Sequence, residues 1–279
     1  MQLLDLISDA HQLGITRNPS TTLMLTQKLL KVSSNGSLIG IIIPLIYRRA
    51  EVENKNHLPF PSKERLKSGQ LACDFLNFID DELDTKETYS KIRELSDQEG
   101  LKLLNKIIER RKREWRGKIP DNYDEIFDPH YLKFIQSLKR CMSSEEVLSY
   151  IHKLNGKSIV YFTLKQVYSD SQLSGHLTLR CIGTMSEAFQ INDDWNDLYE
   201  DYELNKNERG VFGHNIALAI AREEDEIRLI DERKPLKRTE RRIREKYQEI
   251  LSRIENPYLI KLSKRYMITD KETNKVIFR

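Results

Sequence analysis

Residues Leu179–Asp201 read LRCIGTMSEAFQINDDWNDLYED. Apolar and small residues recur at helical spacing through Ile191, and the segment then turns acidic with no Gly or Pro to break it. Residues four apart share a helix face, so Asp193, Asp197 and Asp201 form a carboxylate stripe over two turns. Working outward, Phe75–Asp84 reads FLNFIDDELD and has the same design. Asp80 and Asp84 project together, with Asp81 beside them. Both stretches contain D-D-x-x-D. Carboxylates stacked on one face repel, and aspartate is a poor interior helix former. Burying such groups among Phe, Leu, Ile and Trp costs heavily unless a cation compensates. A solvated acidic face accounts for one such cluster taken alone. Two of them, each led by an aromatic and aliphatic run, break a local rule twice, and breaks of that kind mark functional sites. Magnesium resolves the conflict, because it takes carboxylate oxygens, keeps waters and completes its shell with phosphate oxygens. Facing helices of a bundle can present such ligands across a cavity.

The remaining chain is patterned as helix nearly throughout. Helices are expected from Leu3 to Leu13, Ser20 to Val32, Leu38 to Arg49 and Ser62 to Leu83, and then over about 95–117, 129–141, 144–153, 157–169 and 173–202. Asp121–Asp128 reads as an acidic loop, Asn155-Gly156 as punctuation and Asn205–Gly210 as a polar loop. A charged helical stretch runs from Asn215 to about Ile254, interrupted near Pro235. Strand-like alternation is confined to the end, where Met267–Thr269 and Lys275–Phe278 suggest a small hairpin. These features predict a single all-α domain over residues 1–279.

Composition narrows the function. The 279 residues carry 46 basic and 43 acidic side chains, a net charge of only +3, so bulk charge points to neither nucleic acid nor an anionic membrane. The most apolar run, Leu38–Ile46, is far below the roughly 20 residues of a membrane span, and Met1–Ala10 lacks the pattern of a signal peptide. Cys73, Cys141 and Cys181 have no C-x-x-C spacing and read as reduced thiols, in keeping with a cytoplasmic location. The histidines show no metalloprotease spacing, no Gly-rich phosphate loop is present, and no Ser or Cys sits in a nucleophile motif. The basic run Arg233–Arg244 is interleaved with Glu240 and flanked by Glu232 and Glu245, so it reads as a solvated helix face.

Phe189–Asp201 resembles the second aspartate-rich motif of the class I trans-isoprenoid (terpenoid) synthase superfamily. Leu179–Gly183 leads into Ala188–Ile191 much as the family's helix enters that motif, and Asp80, Asp81 and Asp84 match the first motif. The likeness covers about residues 35–215. It implies an antiparallel helix bundle around a central cavity. About three magnesium ions would then bridge the clusters and a prenyl diphosphate. The metal set carried over is Asp80, Asp81, Asp84, Asn192, Asp193, Asn196, Asp197 and Glu200, and Asp80, Asp81, Asp84, Asp193 and Asp197 take the catalytic role. Asp201 either binds metal or supports its neighbours. Lys157, Arg180, Arg265 and Tyr266 would contact the diphosphate. Phe75, Phe78, Phe162, Phe189 and Trp195 are candidates to line a dry cavity in which an allylic carbocation forms. A homodimer is in keeping with related families.

Departures from the family pattern set the reaction expected. Chain-elongating members carry a cationic Gly-Gly-Lys-Arg-type segment before the first motif, where this chain has Asn35–Gly40 with no cation. They carry Arg-Arg-Gly after that motif, where this chain has Thr85–Ser90. The separation of Asp80 and Asp193 is short for those members and nearer the squalene and phytoene synthase branch. Asn192, Asn196 and Glu200 fit a terpene-synthase N-D-x-x-S-x-x-x-E pattern, with Asn196 in the Ser position. The resemblance therefore implies a terpene synthase that ionises one C10–C20 prenyl diphosphate and releases a terpene and diphosphate. The alternative is a prenyltransferase: chain-elongating, head-to-head, or acting on a non-isoprenoid acceptor.

Overall fold

The computed structural model describes residues 39–56, 58–120, 122–173, 176–207, 210–211 and 213–260. The expected helices before Leu38, the hairpin after Met267, and Arg265 and Tyr266 lie outside these residues. The protein is all-helical across them, apart from a short antiparallel ladder that pairs Lys206–Asn207 (β1) with Gly210–Val211 (β2). The helices are α1 Ile39–Glu53, α2 Lys63–Leu83, α3 Lys86–Glu94, α4 Asp97–Glu114, α5 Tyr123–Ser137, α6 Ser144–Lys153, α7 Val160–Lys165, α8 His176–Asn196, α9 Leu198–Asn205, α10 Ile216–Glu223, α11 Ile227–Asp231 and α12 Lys237–Ser252. A π-helical turn, Leu154–Ile159, joins α6 to α7, and a 3-10 turn covers Asp170–Leu173.

The chain divides into two compact units. One takes the described residues through Asp74, with Thr163–Leu179 and those from Glu255 onward. In it α1 and α2 cross at two glycines, where a Cβ on Gly40 would lie 2.2 Å from the carbonyl oxygen of Gly69. Pro44 has no N–H to give to the Gly40 carbonyl one turn back, and that same carbonyl faces Gly69 across the crossing. Buried Tyr168 donates its hydroxyl to the Pro44 carbonyl at 2.9 Å, and Tyr47 donates to the Gln172 carbonyl at 2.9 Å.

The second unit, Phe75–Phe162 with Arg180–Ile254, contains both aspartate-rich stretches. Its core includes a cluster of rings in which Phe75 packs edge-on to Tyr123 and Phe127 edge-on to Phe162, with Tyr123 tilted against Phe127. Ser96 and Ser143 start α4 and α6 with full capping boxes, each closed by a glutamate three residues on. The π turn brings Gly156 against Gly183 of α8 so closely that a Cβ on Gly183 would sit 2.1 Å from the Gly156 carbonyl oxygen. Buried Glu187, one turn further along α8, is held there by His152 Nδ1 at 2.7 Å and by Arg253 at 3.2 Å.

Several boundaries differ from expectation. Most of the stretch expected as an acidic loop is helix: α5 begins at Tyr123, where Asp124 and Glu125 favour the positive end of the helix dipole and Tyr123 and Phe127 are buried. Thr85–Ser90 opens helix α3, with Thr85 as its side-chain cap. The helix expected over 173–202 is interrupted at Asp197, between α8 and α9. The charged stretch after Asn215 is three helices, broken at Glu224–Glu226 as well as before Lys237.

Candidate carboxylate site

The first aspartate cluster forms the last turn of α2. The Asp84 amide donates to the Asp80 carbonyl at 2.9 Å, which keeps the helical phase and sets both side chains on one face. The Asp80 carboxyl is reached by water yet surrounded by protein. That crowding, with the charges of Asp84 and Asp81, pushes it up to about 7. The second cluster keeps its own phase through the break at Asp197. The Asp197 amide donates to the Asp193 carbonyl at 2.9 Å and the Asp201 amide to the Asp197 carbonyl at 2.8 Å. The stripe Asp193–Asp197–Asp201 survives because the backbone ladder along it is intact. Burial and the Asp197 charge raise the Asp193 carboxyl.

The two clusters influence each other through the charges of Asp84 and Asp201. Asp201 is pushed up to about 6, first by burial and then by the charge of Asp84, with Asp197 and Glu200 adding to it. Around this pair stand groups that the sequence pattern did not single out. Tyr89 of α3 donates its hydroxyl to Asp84 Oδ1 at 2.6 Å. Burial raises its phenol well above the ordinary value, and Asp84, Asp201 and Asp80 raise it further. The Asn215 amide donates to Asp201 Oδ2 at 2.6 Å and to the Asp194 carbonyl at 2.8 Å. Burial pushes the Tyr150 phenol up, with Asp80 and Asp84 contributing. Burial lowers the His214 imidazole against the opposing charge of Asp84. Arg93 ties α3 to α9, donating to the backbone carbonyl of Asn205 at 3.3 Å and to its Oδ1 at 3.2 Å.

The adjacent aspartates of the second motif have different fates. Asp193 is exposed, whereas Asp194 is buried. Asp194 accepts from the Ile216 amide at 2.6 Å and from Gln190 Nε2 at 2.7 Å. It is a brace for the start of α10 despite a carboxyl that burial lifts to about 7. Asn192 is buried, and its Oδ1 has no hydrogen-bond partner among the described residues.

The other sequence candidates are distributed as follows. Asp81, Asn196, Asp197 and Glu200 are exposed beside their clusters. Lys157 is exposed on the π turn, and Arg180 is exposed in the first half of α8. Phe75 and Phe162 are fully buried in the ring cluster. Phe78 lies beneath Arg111, Trp115 packs on it, Trp195 is half-buried and Phe189 is exposed. A cleft of about 450 Å³ is lined by Glu82, Thr85, Thr88, Lys91, Lys106 and Arg110, among others. Asp80, Asp81 and Asp84 are not among the residues that line it.

Among the described residues no three His, Cys, Asp or Glu side chains converge tightly enough to form a metal shell by themselves. The oxygens at the site are nonetheless all hard donors. Magnesium needs few protein ligands, since it retains waters and takes phosphate oxygens. The mutual repulsion of the carboxylates is of the kind that positive charge relieves. No protein-family model, curated protein or solved structure matches this chain.

Proposed function

We propose that this protein is a magnesium-dependent enzyme of the class I isoprenoid-synthase type, acting on a prenyl diphosphate, and that its reaction is ionisation of one substrate to a terpene and diphosphate. What supports this reading is that two separate D-D-x-x-D segments act on each other: the Asp84 charge raises Asp201, and Tyr89, hydrogen-bonded to Asp84, lies on the helix that Arg93 ties to Asn205 at the end of α9. Nothing in a helical protein requires such a pairing for stability, and it opposes stability unless positive charge is supplied.

Magnesium, when bound, supplies Lewis acidity to the diphosphate leaving group. On this reading Asp80 and Asp81 of α2 and Asp84 just past its end, with Asn192, Asp193, Asn196, Asp197 and Glu200 around the end of α8, hold the cations. Asp194 and Asn215 keep the second cluster's backbone in place. Lys157 and Arg180 supply cationic contacts to the diphosphate as it leaves. The neighbouring aromatic groups exclude water from a developing cation.

The test is a product assay. The purified protein with magnesium is given prenyl diphosphates of about ten, fifteen and twenty carbons, each with and without isopentenyl diphosphate, and the extracts are resolved by gas chromatography–mass spectrometry. A terpene from a single diphosphate is the expected result. Longer diphosphates formed only with the co-substrate would replace this reading with the prenyltransferase alternative.

A further inference from the structure

The cleft beside α3 and α4 takes no part in the function proposed above. Lys91 of α3 and Lys106, Arg110 and Arg113 of α4 stand along it, against two carboxylates, Glu82 and Glu87. Both carboxylates are engaged: Glu82 pairs with Arg110, and Glu87 with Lys91 at 2.5 Å. Lys106 is exposed and makes no hydrogen bond or ion pair among the described residues. Arg113 gives its Nε to the Glu109 backbone carbonyl at 3.2 Å, and its charge meets no carboxylate among the described residues. Thr85 donates its hydroxyl to Thr88 Oγ1 at 2.9 Å, and Thr88 donates to the Glu82 carbonyl at 3.1 Å, so neither hydroxyl hydrogen is left for a ligand. The side-chain donors that stay open are therefore cationic, and half-buried Leu103 and Ile107 line the wall between them.

Lys106, Arg110 and Arg113 recur at spacings of four and three residues, which is one face of α4. At 1.5 Å of rise per residue they form a row about 10 Å long. A compact anion meets one or two of these charges; an extended one meets all three. The volume of about 450 Å³ suits a small molecule rather than a folded partner. We propose that the cleft binds a linear condensed phosphate of three or more phosphoryl groups, either free or as the tail of a nucleoside triphosphate, laid along Lys106, Arg110 and Arg113. Arg113 has both terminal nitrogens open, and that fork matches the paired oxygens of a phosphoryl group. Arg110 turns Nη2 to Glu82 and Nε to Glu114, which leaves Nη1 for the ligand. Lys106 adds a point charge, and Lys91 can swing in from α3 because its pair with Glu87 is exposed on both sides and therefore weak. The apolar wall lowers the local dielectric and strengthens each contact. Asp80, Asp81 and Asp84 do not line the cleft, so this site stands whether or not they hold a cation.

The test is calorimetric titration of the full chain with inorganic tripolyphosphate, with adenosine triphosphate and with citrate, at low ionic strength and without divalent metal. Lys106→Gln and Arg113→Gln each remove one unpaired cation, and Lys106 makes no contact whose loss could disturb the fold. Lys102→Gln is the matched control: the same change of charge on an exposed residue one turn earlier in α4, outside the cleft. The wild-type chain is expected to bind tripolyphosphate, each cleft variant to bind it about tenfold more weakly, and the control to bind it as wild type does. Tighter binding of adenosine triphosphate than of tripolyphosphate would assign the cleft to a nucleotide tail, and the reverse to a free phosphate chain. The proposal is overturned if wild type binds neither phosphate, if citrate binds as tightly, or if Lys102→Gln loses as much affinity as Lys106→Gln.

Discussion

The guanidinium of Arg111 lies over the ring of Phe78, 3.5 Å from its centroid, and donates from Nε at 2.9 Å and Nη2 at 2.7 Å to the Phe78 backbone carbonyl. One side chain of α4 thereby secures both the backbone and the ring at the turn that leads into Asp80. Charged hydrogen bonds contribute about 1.5–3 kcal/mol and a cation–π contact about 1. Because these share one geometry, Arg111→Ala is expected to destabilise the fold by about 2–3 kcal/mol. Chemical denaturation measures it, and Arg111→Lys should recover only part, lacking the planar fork.

The crossing at Gly156 and Gly183 is the least forgiving contact in this unit. Gly183→Ala would drive a Cβ to 2.1 Å from a backbone carbonyl oxygen, which cannot rotate away. Gly156→Ala meets the Glu187 carboxylate at 2.5 Å, a side chain with some freedom although it is tied to His152 and Arg253. Overpacking costs about 1–3 kcal/mol and more against backbone. Thermal unfolding should therefore rank Gly183→Ala as the more damaging; equal losses would contradict the backbone clash.

Acid is expected to stabilise the metal-free protein. Burial and like charge raise Asp80 and Asp194 to about 7 and Asp201 to about 6. An acid raised on folding binds its proton more tightly in the folded chain. Its contribution is fully present below the unfolded value of about 4 and is lost as pH climbs through the folded value. With a chelator present, the unfolding temperature should fall between about pH 4 and pH 7. Magnesium should flatten that slope by favouring the ionised carboxylates. A midpoint that rises across this window in chelator would show that other groups govern the response.

Removing single carboxylates separates metal binding from scaffolding. Asp80→Ala and Asp193→Ala should each lower turnover of a prenyl diphosphate by about 100-fold or more. Both should also abolish the magnesium-induced rise in unfolding temperature, which for one site at a hundredfold excess over its dissociation constant corresponds to about 2.7 kcal/mol. Asp194→Ala should instead lower stability with or without magnesium, because it strips the Ile216 amide of its acceptor. An unchanged magnesium response in both of the first two variants would mean that the clusters hold no metal.

The helical class and the two aspartate stripes were legible because they are periodic within short windows, and the structure keeps both stripes in phase. Helix α3 was not. Its sequence, KETYSKIRE, has little apolar content, and a helix so short gains its stability from burying Tyr89 and Ile92 rather than from propensity. The start of α5 was hidden by its charge, since Asp124 and Glu125 resemble a loop until the buried Tyr123 and Phe127 are seen one turn apart. In the sequence Asp193 and Asp194 are neighbours of equal appearance; only packing makes one a solvent-facing carboxylate and the other a brace. Tyr89 and Asn215 carried no motif at all, because their meaning depends on contacts with residues distant in the chain. Asn215 alone left a trace, as a capping residue before an apolar run.

The two halves of the site differ in how far the chain must travel to make them. Asp194 and the Ile216 amide close a loop of 22 residues, whereas Arg93 and Asn205 close one of 112. Each doubling of a loop adds about 0.6 kcal/mol of closure entropy, so the longer closure costs about 1.4 kcal/mol more. The brace on the second cluster thus closes over nearby chain, while the tie between α3 and α9 must draw together distant segments. On closure entropy alone the longer contact is expected to form after the shorter one.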